Sequence, residues 1–115
     1  MIPLHTTPDQ WRTLAAVVDE GGFAQAAARL HRSQSAVSYS MARLQESLGV
    51  SLLQVRGRKA ELTDAGRELL RRSRAAVNQF ERLERMARSL HRGWEPELRL
   101  VIDASFPQDL LLTVL

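Results

Sequence analysis

The sequence of 115 residues contains no cysteine, a single lysine and few aromatic side chains. The absence of cysteine excludes disulfide bonds and thiolate chemistry. Aromatic residues make up only 5% of the chain, so leucine, alanine and valine must fill the core. No apolar run approaches the roughly 18 residues that a membrane-spanning helix requires, and no signal-peptide pattern opens the chain. These absences predict a soluble, cytoplasmic protein.

Residue clusters for catalysis or metal binding are also missing. The three histidines, His5, His31 and His91, lie far apart, and none has a carboxylate or a second histidine at metal-ligand spacing. No histidine stands with an acid and a serine in a pattern that predicts a catalytic triad. The sequence contains neither of the glycine-rich motifs of nucleotide-binding proteins, G-x-x-x-x-G-K-[ST] and G-x-G-x-x-G. We therefore expect no metal, no cofactor and no enzymatic activity.

The chain is rich in arginine, and the arginines are concentrated in its middle. The formal net charge is +3, but residues 24–74 hold ten basic residues against four acids, while the segments on either side hold more acids than bases. Fifteen of the sixteen basic residues are arginine, whose planar guanidinium favours bidentate contacts to phosphate and guanine. This distribution predicts an anionic partner that meets the middle of the chain.

Three short helices are predicted in the first 50 residues. Residues 8–20 place apolar side chains at helical spacing, with Thr7 as N-cap, and two glycines follow them. Residues 23–30 predict a second, alanine-rich helix. The third covers residues 34–48, where Ser33 can cap the start and a glycine follows the end. Because only residues 31–33 separate the second and third helices, the pair is typical of a helix-turn-helix.

The periodicity changes after residue 50. Between residues 51 and 63 apolar and polar residues alternate on either side of Gly57, which predicts a short β-hairpin. Its tip is the basic run Arg56-Gly57-Arg58-Lys59. Such a tip is typical of a wing that lies over the DNA backbone or enters a narrow minor groove. A solvated hairpin tip with no partner is the alternative.

A long helix is predicted from about residue 64 to residue 92, with Thr63 as its N-cap and Gly93 after its end. With Ser73 included, its apolar side chains recur in alternating steps of four and three, the signal of a coiled-coil seam. The seam residues, which we expect to pair two copies of the chain, are Leu69, Ala76, Phe80, Leu83, Ala87 and Leu90. A lone helix packed on its own domain is the alternative.

The predicted helix at residues 34–48 carries an unusual exposed face. Its core stripe is apolar, the opposite arc is small, polar or basic, and no acid occurs before Glu46. Carboxylates would oppose DNA phosphates, whereas glutamine can pair with adenine, arginine with guanine and serine with several base edges. The predicted contacts with duplex DNA are Gln34, Ser35, Ser38, Tyr39 and Arg43 on this helix, Ser33 at its cap, and Arg56, Arg58 and Lys59 at the hairpin tip. An ordinary solvated helix face is the alternative.

Four motifs in order resemble the N-terminal region of LysR-type transcriptional regulators. They are AARL (27–30), SQSAVS (33–38), LGVSLL (48–53) and RGRKAELTDAG (56–66). The resemblance covers about residues 4–66 without a gap. It implies a mainly α fold, a winged helix-turn-helix of three helices and a short β-hairpin wing, followed by a long dimerisation linker helix. The implied function is regulation of transcription by sequence-specific binding of a homodimer to a dyad-symmetric DNA operator.

The resemblance also implies a ligand-sensing domain of two α/β lobes beyond the linker helix. A small-molecule effector would then act only through that downstream domain, and whether full-length chains assemble into tetramers stays open. Several positions depart from the family pattern: Ser35 replaces a usual proline, Tyr39-Ser40 a commonly basic pair, Gln45 a common glutamate, Leu53 a common phenylalanine and Val55 a common arginine. The expected organisation is a DNA-binding domain (1–63), a linker helix (64–93) and the start of a truncated α/β effector-binding domain (94–115), which opens with a strand at residues 98–105.

Two other functions stay open at the level of sequence. A non-specific architectural DNA binder would use the same basic patch without base reading, and its affinity would depend steeply on salt. A helix-mediated protein-interaction module would use the long helix to bind a different protein. A membrane partner is not expected, because the polar face of that helix alternates in charge sign.

Overall fold

The computed structural model describes residues 1–91. The elements within them are α1 (Pro8–Glu20), α2 (Phe23–Leu30), α3 (Gln34–Leu48), β1 (Leu53–Arg56), β2 (Lys59–Leu62) and α4 (Asp64–His91). The three short helices have the bounds that the sequence predicts, and the mainly α winged fold is confirmed. The strand expected at residues 98–105 and the helix end expected at Gly93 lie outside the described residues.

Helix α1 is capped at both ends by its own neighbours in sequence. Thr7 Oγ1 accepts a hydrogen bond from the Gln10 amide at 3.2 Å, and Gln10 Oε1 accepts one from the Thr7 amide at 2.8 Å. This reciprocal capping box satisfies amides that a helix start leaves unpaired. At the other end Gly21 takes a φ of 90°, a left-handed conformation that favours glycine, and its amide bonds to the Val17 carbonyl.

The turn between α2 and α3 is short because His31 adopts a left-handed conformation, with a φ of 56°. The Arg32 amide reaches back to the Ala27 carbonyl at 3.0 Å and closes the end of α2. Ser33 then starts α3, since its Oγ accepts a hydrogen bond from the Ala36 amide at 3.1 Å. These local contacts fix the helix-turn-helix.

One apolar core holds the three short helices together. Its buried members are Leu14, Val17, Ala26, Ala27, Val37, Met41, Leu44, Leu52 and Leu70. Val37, Met41 and Leu44 are the predicted core stripe of α3, and Leu48 at the end of that stripe is half-buried. Because this stripe faces the core, the opposite side of α3 is left exposed.

Strands β1 and β2 form the predicted hairpin, which we call the wing. Leu53 pairs with Leu62, and Val55 pairs with Ala60, in an antiparallel register. Side chains alternate between the two faces of a strand, so these four residues share one face, and Leu53 and Leu62 pack against the core. Gly57 takes a φ of 63° in the turn, a conformation that favours glycine. Every residue of the tip is exposed.

Helix α4 starts against the segment that leads into the wing. Thr63 Oγ1 accepts a hydrogen bond from the Gly66 amide at 2.9 Å, so the predicted N-cap is confirmed. The same hydroxyl donates to the Ser51 carbonyl at 2.7 Å. A Cβ added to Gly66 would lie only 2.1 Å from the Leu52 carbonyl oxygen. The first turn of α4 is therefore held close to the backbone of residues 51–52.

The next turns of α4 also belong to the winged part of the chain, and the described residues up to Asn78 form one compact unit. Arg74 forms an ion pair with Asp19 of α1 at 2.9 Å. On the exposed side of the helix, hydrogen bonds from Arg71 and Arg72 hold the pKa of the Glu68 carboxyl below its ordinary value. Within residues 1–91, no helix has both the length and the apolar character needed to cross a membrane.

Candidate nucleic-acid interface

The exposed face of α3 gathers the predicted base-reading residues. Gln34, Ser35, Ser38, Tyr39 and Arg43 are all exposed, as expected for side chains opposite the core stripe. The Tyr39 side chain is large and its residue is 68% exposed, although no packing within the described chain requires an aromatic there. Among the described residues, Gln34, Ser38 and Tyr39 have no side-chain hydrogen-bond partner. Their polar groups are therefore available to a ligand.

The two serines at the start of α3 are partly engaged with each other. The Ser33 and Ser35 hydroxyls lie 3.2 Å apart, at hydrogen-bonding distance. Ser33 Oγ also accepts from the Ala36 amide, so capping is its main structural role. Ser35 has no contact with the backbone in this arrangement and remains exposed. It is therefore the freer of the two hydroxyls.

Arg43 does not stand alone on the exposed face. Its Nη1 lies 3.2 Å from Glu46 Oε1 on the next turn of α3, and both side chains are more than half exposed. An exposed pair of this kind is weak and exchanges readily with water. Glu46, the first acid of α3, thus partly neutralises the charge of Arg43 on the exposed face. The contact uses one of the five N–H donors of the guanidinium, so Arg43 can contact a second anion beside Glu46 or in its place.

The wing supplies a second set of cations. Arg56 Nε lies 3.6 Å from Glu61 Oε2 on the opposite strand, so part of its charge is balanced within the hairpin. Arg58 and Lys59 form no ion pair within the part of the chain that the structure describes. These two residues therefore carry the free positive charge of the tip.

Two contacts that join α3 and its cap to the neighbouring elements are not evident from the sequence. Arg32, directly before the cap of α3, pairs with Asp9 of α1 at 2.9 Å. Gln45 accepts hydrogen bonds through Oε1 from the Leu52 amide at 2.8 Å and the Leu53 amide at 3.0 Å. The only signal for Gln45 is its place beside the buried Leu44, which puts it at the edge of the core.

The predicted seam residues differ in how far they are already covered. Leu69 is half-buried and packs against the core of the winged unit, whereas Ala76 is exposed. Beyond Asn78, Phe80 and Leu83 remain 48% and 55% exposed. Ala87 is also exposed and Leu90 is half-buried. The exposed seam residues of α4 thus begin at Ala76, and the two large ones, Phe80 and Leu83, lie beyond Asn78.

The described residues contain no group of three or more histidine, cysteine or acidic side chains that could hold a metal ion. The interface therefore consists of polar side chains on α3 and cations on the wing. This combination suits a ligand with many phosphates and hydrogen-bonding base edges. It offers no arrangement of a nucleophile with a base.

Comparison with known proteins identifies the family. The family model described as bacterial regulatory helix-turn-helix protein, lysR family, matches residues 8–67. YeeY, an uncharacterized HTH-type transcriptional regulator of Escherichia coli K12, is 40% identical over 98 residues, which cover 85% of this chain and 32% of YeeY. The chain spans about a third of the length of the curated relatives it matches.

Solved structures agree with that assignment. CbnR, a LysR family transcriptional regulator, has a TM-score of 0.71 and 35% identity, with 76% of this chain and 30% of CbnR covered. The CbnR_DBD–DNA complex has a TM-score of 0.69 and 34% identity, with 76% of this chain and all of that chain covered. The expected resemblance to LysR-type transcriptional regulators is confirmed. The chain belongs to the lysR family of bacterial regulatory helix-turn-helix proteins.

Proposed function

We propose that this chain is part of a transcriptional regulator that binds duplex DNA in a sequence-specific manner. The observation that carries the proposal is the exposed face of α3, where Gln34, Ser38 and Tyr39 have no partner among the described residues and no acid precedes Glu46. A helix of this size fits the major groove, in which each base pair presents a distinct pattern of donors and acceptors. The CbnR_DBD–DNA complex, whose chain this one resembles, supports DNA as the ligand.

The polar side chains of α3 contact the DNA, and the capping serine before them holds the helix start. Gln34, Ser35, Ser38, Tyr39 and Arg43 meet base edges or nearby phosphates, while Ser33 keeps the helix start in place. A glutamine can bond to both N6 and N7 of adenine, and an arginine to both O6 and N7 of guanine. Because Glu46 occupies only one N–H donor of Arg43, the guanidinium can contact DNA beside that carboxylate or in exchange for it.

The wing contributes affinity with little sequence preference. Arg58 and Lys59 have free charge, and Arg56 adds to them beside Glu61. Neutralising a phosphate releases a condensed counterion, so each such contact steepens the salt dependence of binding. We place these three residues over the backbone or the minor groove next to the site that α3 reads.

Two chains pair through α4 and bind an operator with dyad symmetry. Ala76, Phe80, Leu83 and Ala87 are exposed apolar residues at coiled-coil spacing, which favours burial against a second copy. Leu69 and Leu90 complete the seam at its ends. A two-fold dimer presents two copies of α3, and its operator then repeats the half-site in inverted order.

The regulator acts in the cytoplasm, and a small-molecule effector binds only to a domain downstream of α4. The length of the curated relatives supports such a domain, because this chain aligns with about a third of each.

The test compares one base reader with one wing residue on two duplexes, one from upstream of the protein's own gene and one scrambled. Gln34→Ala should weaken binding to the native duplex much more than to the scrambled one, by roughly 1–3 kcal/mol in discrimination. Arg58→Ala should weaken binding to both duplexes equally. It should also make the slope of log K against log salt concentration, the salt slope, shallower by about one. Equal losses on the two duplexes for Gln34→Ala would contradict base reading by α3 and favour a non-specific architectural binder.

A further inference from the structure

Gln45 connects α3 to the wing through hydrogen bonds of its side chain and of its backbone carbonyl. Its side-chain Oε1 accepts from the Leu52 and Leu53 amides at 2.8 and 3.0 Å. Its side-chain Nε2 donates to the Met41 carbonyl at 3.2 Å, which orients the amide group on the helix. Its backbone carbonyl accepts from the Gly49 amide at 2.9 Å. One residue thus organises the whole connection from α3 to β1.

These bonds hold the residues at which the wing begins. Leu53 is the first residue of β1, and Leu52 before it is fully buried in the core. A buried amide needs a partner, because an unpaired one loses its bonds to water without replacement. On the other side, the Leu52 carbonyl accepts from the Thr63 amide at 3.0 Å, directly after β2. The base of the wing is therefore held on α3 by Gln45 and on the start of α4 by Thr63.

Gln45 itself is not placed to touch DNA. It is half-buried, and its amide oxygen is occupied by two backbone donors. The residues that face outward on the same part of α3 are Ala42, Arg43 and Glu46. Any effect of Gln45 on DNA binding must therefore pass through the elements that it joins.

We propose that Gln45 is a positioning residue that sets the wing relative to α3, so that Arg58 and Lys59 meet phosphates while α3 lies in the major groove. The proposal rests on the proposed contact between the wing and DNA. It predicts that the contribution of Arg58 depends on Gln45. A purely structural role would instead lower stability and leave the contribution of Arg58 unchanged.

The test is a double-mutant cycle with Gln45→Leu and Arg58→Ala in the 115-residue chain, with anisotropy on the upstream duplex at several salt concentrations. In the native background Arg58→Ala lowers the salt slope by about one. In the Gln45→Leu background the same change should leave affinity and slope nearly unaltered. The pair Gln34→Ala and Arg58→Ala serves as the control and should be additive, because Gln34 forms no hydrogen bond with the wing.

A second variant keeps the test independent of any loss of folding in Gln45→Leu. Gln45→Glu retains two acceptor oxygens for the Leu52 and Leu53 amides, and the Met41 carbonyl keeps its helical bond. Its added charge lowers affinity for all DNA, but Arg58→Ala should still lower the slope by about one. Amide hydrogen exchange at Leu52 and Leu53 should be slow in this variant and faster by at least about tenfold in Gln45→Leu.

The outcomes separate the two proposals. If Arg58→Ala has no effect in the native background, the wing contact is wrong and the role of Gln45 falls with it. If Arg58→Ala weakens binding equally in the native and Gln45→Leu backgrounds, the wing contact stands and the positioning role is overturned. Loss of the Arg58 contribution in Gln45→Glu, with Leu52 and Leu53 still protected, would overturn it as well.

Discussion

At the residue scale, only glycine fits at position 66, because the Leu52 carbonyl lies close to that turn of α4. Alanine is favoured over glycine within helices by about 1 kcal/mol, so helix propensity alone predicts that Gly66→Ala stabilises α4. A Cβ would lie 2.1 Å from the Leu52 carbonyl oxygen, which is itself held by the Thr63 amide. We therefore expect Gly66→Ala to lower the free energy of unfolding by about 2 kcal/mol or more.

Urea denaturation of the purified protein measures this change. The neighbouring substitution Ala65→Gly is the control, because Ala65 is exposed and loses only helix propensity, roughly 1 kcal/mol at most. A Gly66→Ala protein at least as stable as the native one would show that α4 can move away from Leu52.

The residues that the sequence predicts correctly are those whose partners lie nearby in the chain. Thr7, Ser33 and Thr63 are recognisable as N-caps because each bonds to an amide three residues ahead. Gln45 and Gly66 are not recognisable in this way. The Leu52 and Leu53 amides that Gln45 binds, and the Leu52 carbonyl that Gly66 approaches, lie seven or more residues away and are brought close only by packing, so no local pattern in the sequence predicts these contacts.

At the scale of single elements, the ion pair on α3 sets how much charge the helix offers. Glu46→Gln removes the partner of Arg43 at 3.2 Å and leaves the guanidinium free to meet DNA. We expect affinity for the upstream duplex to rise about two- to fivefold at low salt, since exposed pairs contribute up to roughly 1 kcal/mol. Anisotropy titration measures the change.

Glu84→Gln is the matched control for that experiment. It removes the same charge from an exposed pair with Arg88, at 4.0 Å, on α4. Both variants lose one negative charge, so a larger gain in Glu46→Gln than in Glu84→Gln belongs to the surface around Arg43 and Glu46. Equal gains in the two variants would contradict a contact between Arg43 and DNA.

Element boundaries and faces are largely predictable here, whereas the partners of charged side chains are not. Val37, Met41 and Leu44 mark the buried stripe of α3 through helical spacing, which also identifies the exposed face. The alternation of apolar and polar residues between positions 51 and 63 likewise predicts the hairpin. The pairing of Arg56 with Glu61 depends on the strand register, and that of Arg74 with Asp19 on how α4 packs against α1.

At the scale of the whole molecule, the exposed apolar residues of α4 predict association. Leu83 is 55% exposed at the centre of the seam, and Leu83→Asp would place a charge in the apolar interface of a dimer. We expect the native chain to sediment as a dimer and Leu83→Asp as a monomer at the same concentration.

Asn78→Asp is the control for the seam. Asn78 is exposed and lies two residues from both Ala76 and Phe80, which places it opposite the seam on α4. The substitution adds the same charge with almost no change of shape, and the dimer should persist. A Leu83→Asp protein that remains dimeric would contradict dimerisation through the seam.

The measurement that most directly tests sequence reading by α3 uses the unmodified chain. Fluorescence anisotropy compares binding to the duplex from upstream of its own gene with binding to a scrambled duplex of equal length, across a salt series. We predict a preference for the native duplex that persists at moderate salt, because base contacts release few counterions. Equal affinities that fall steeply with salt on both duplexes would contradict sequence reading and leave only the basic patch.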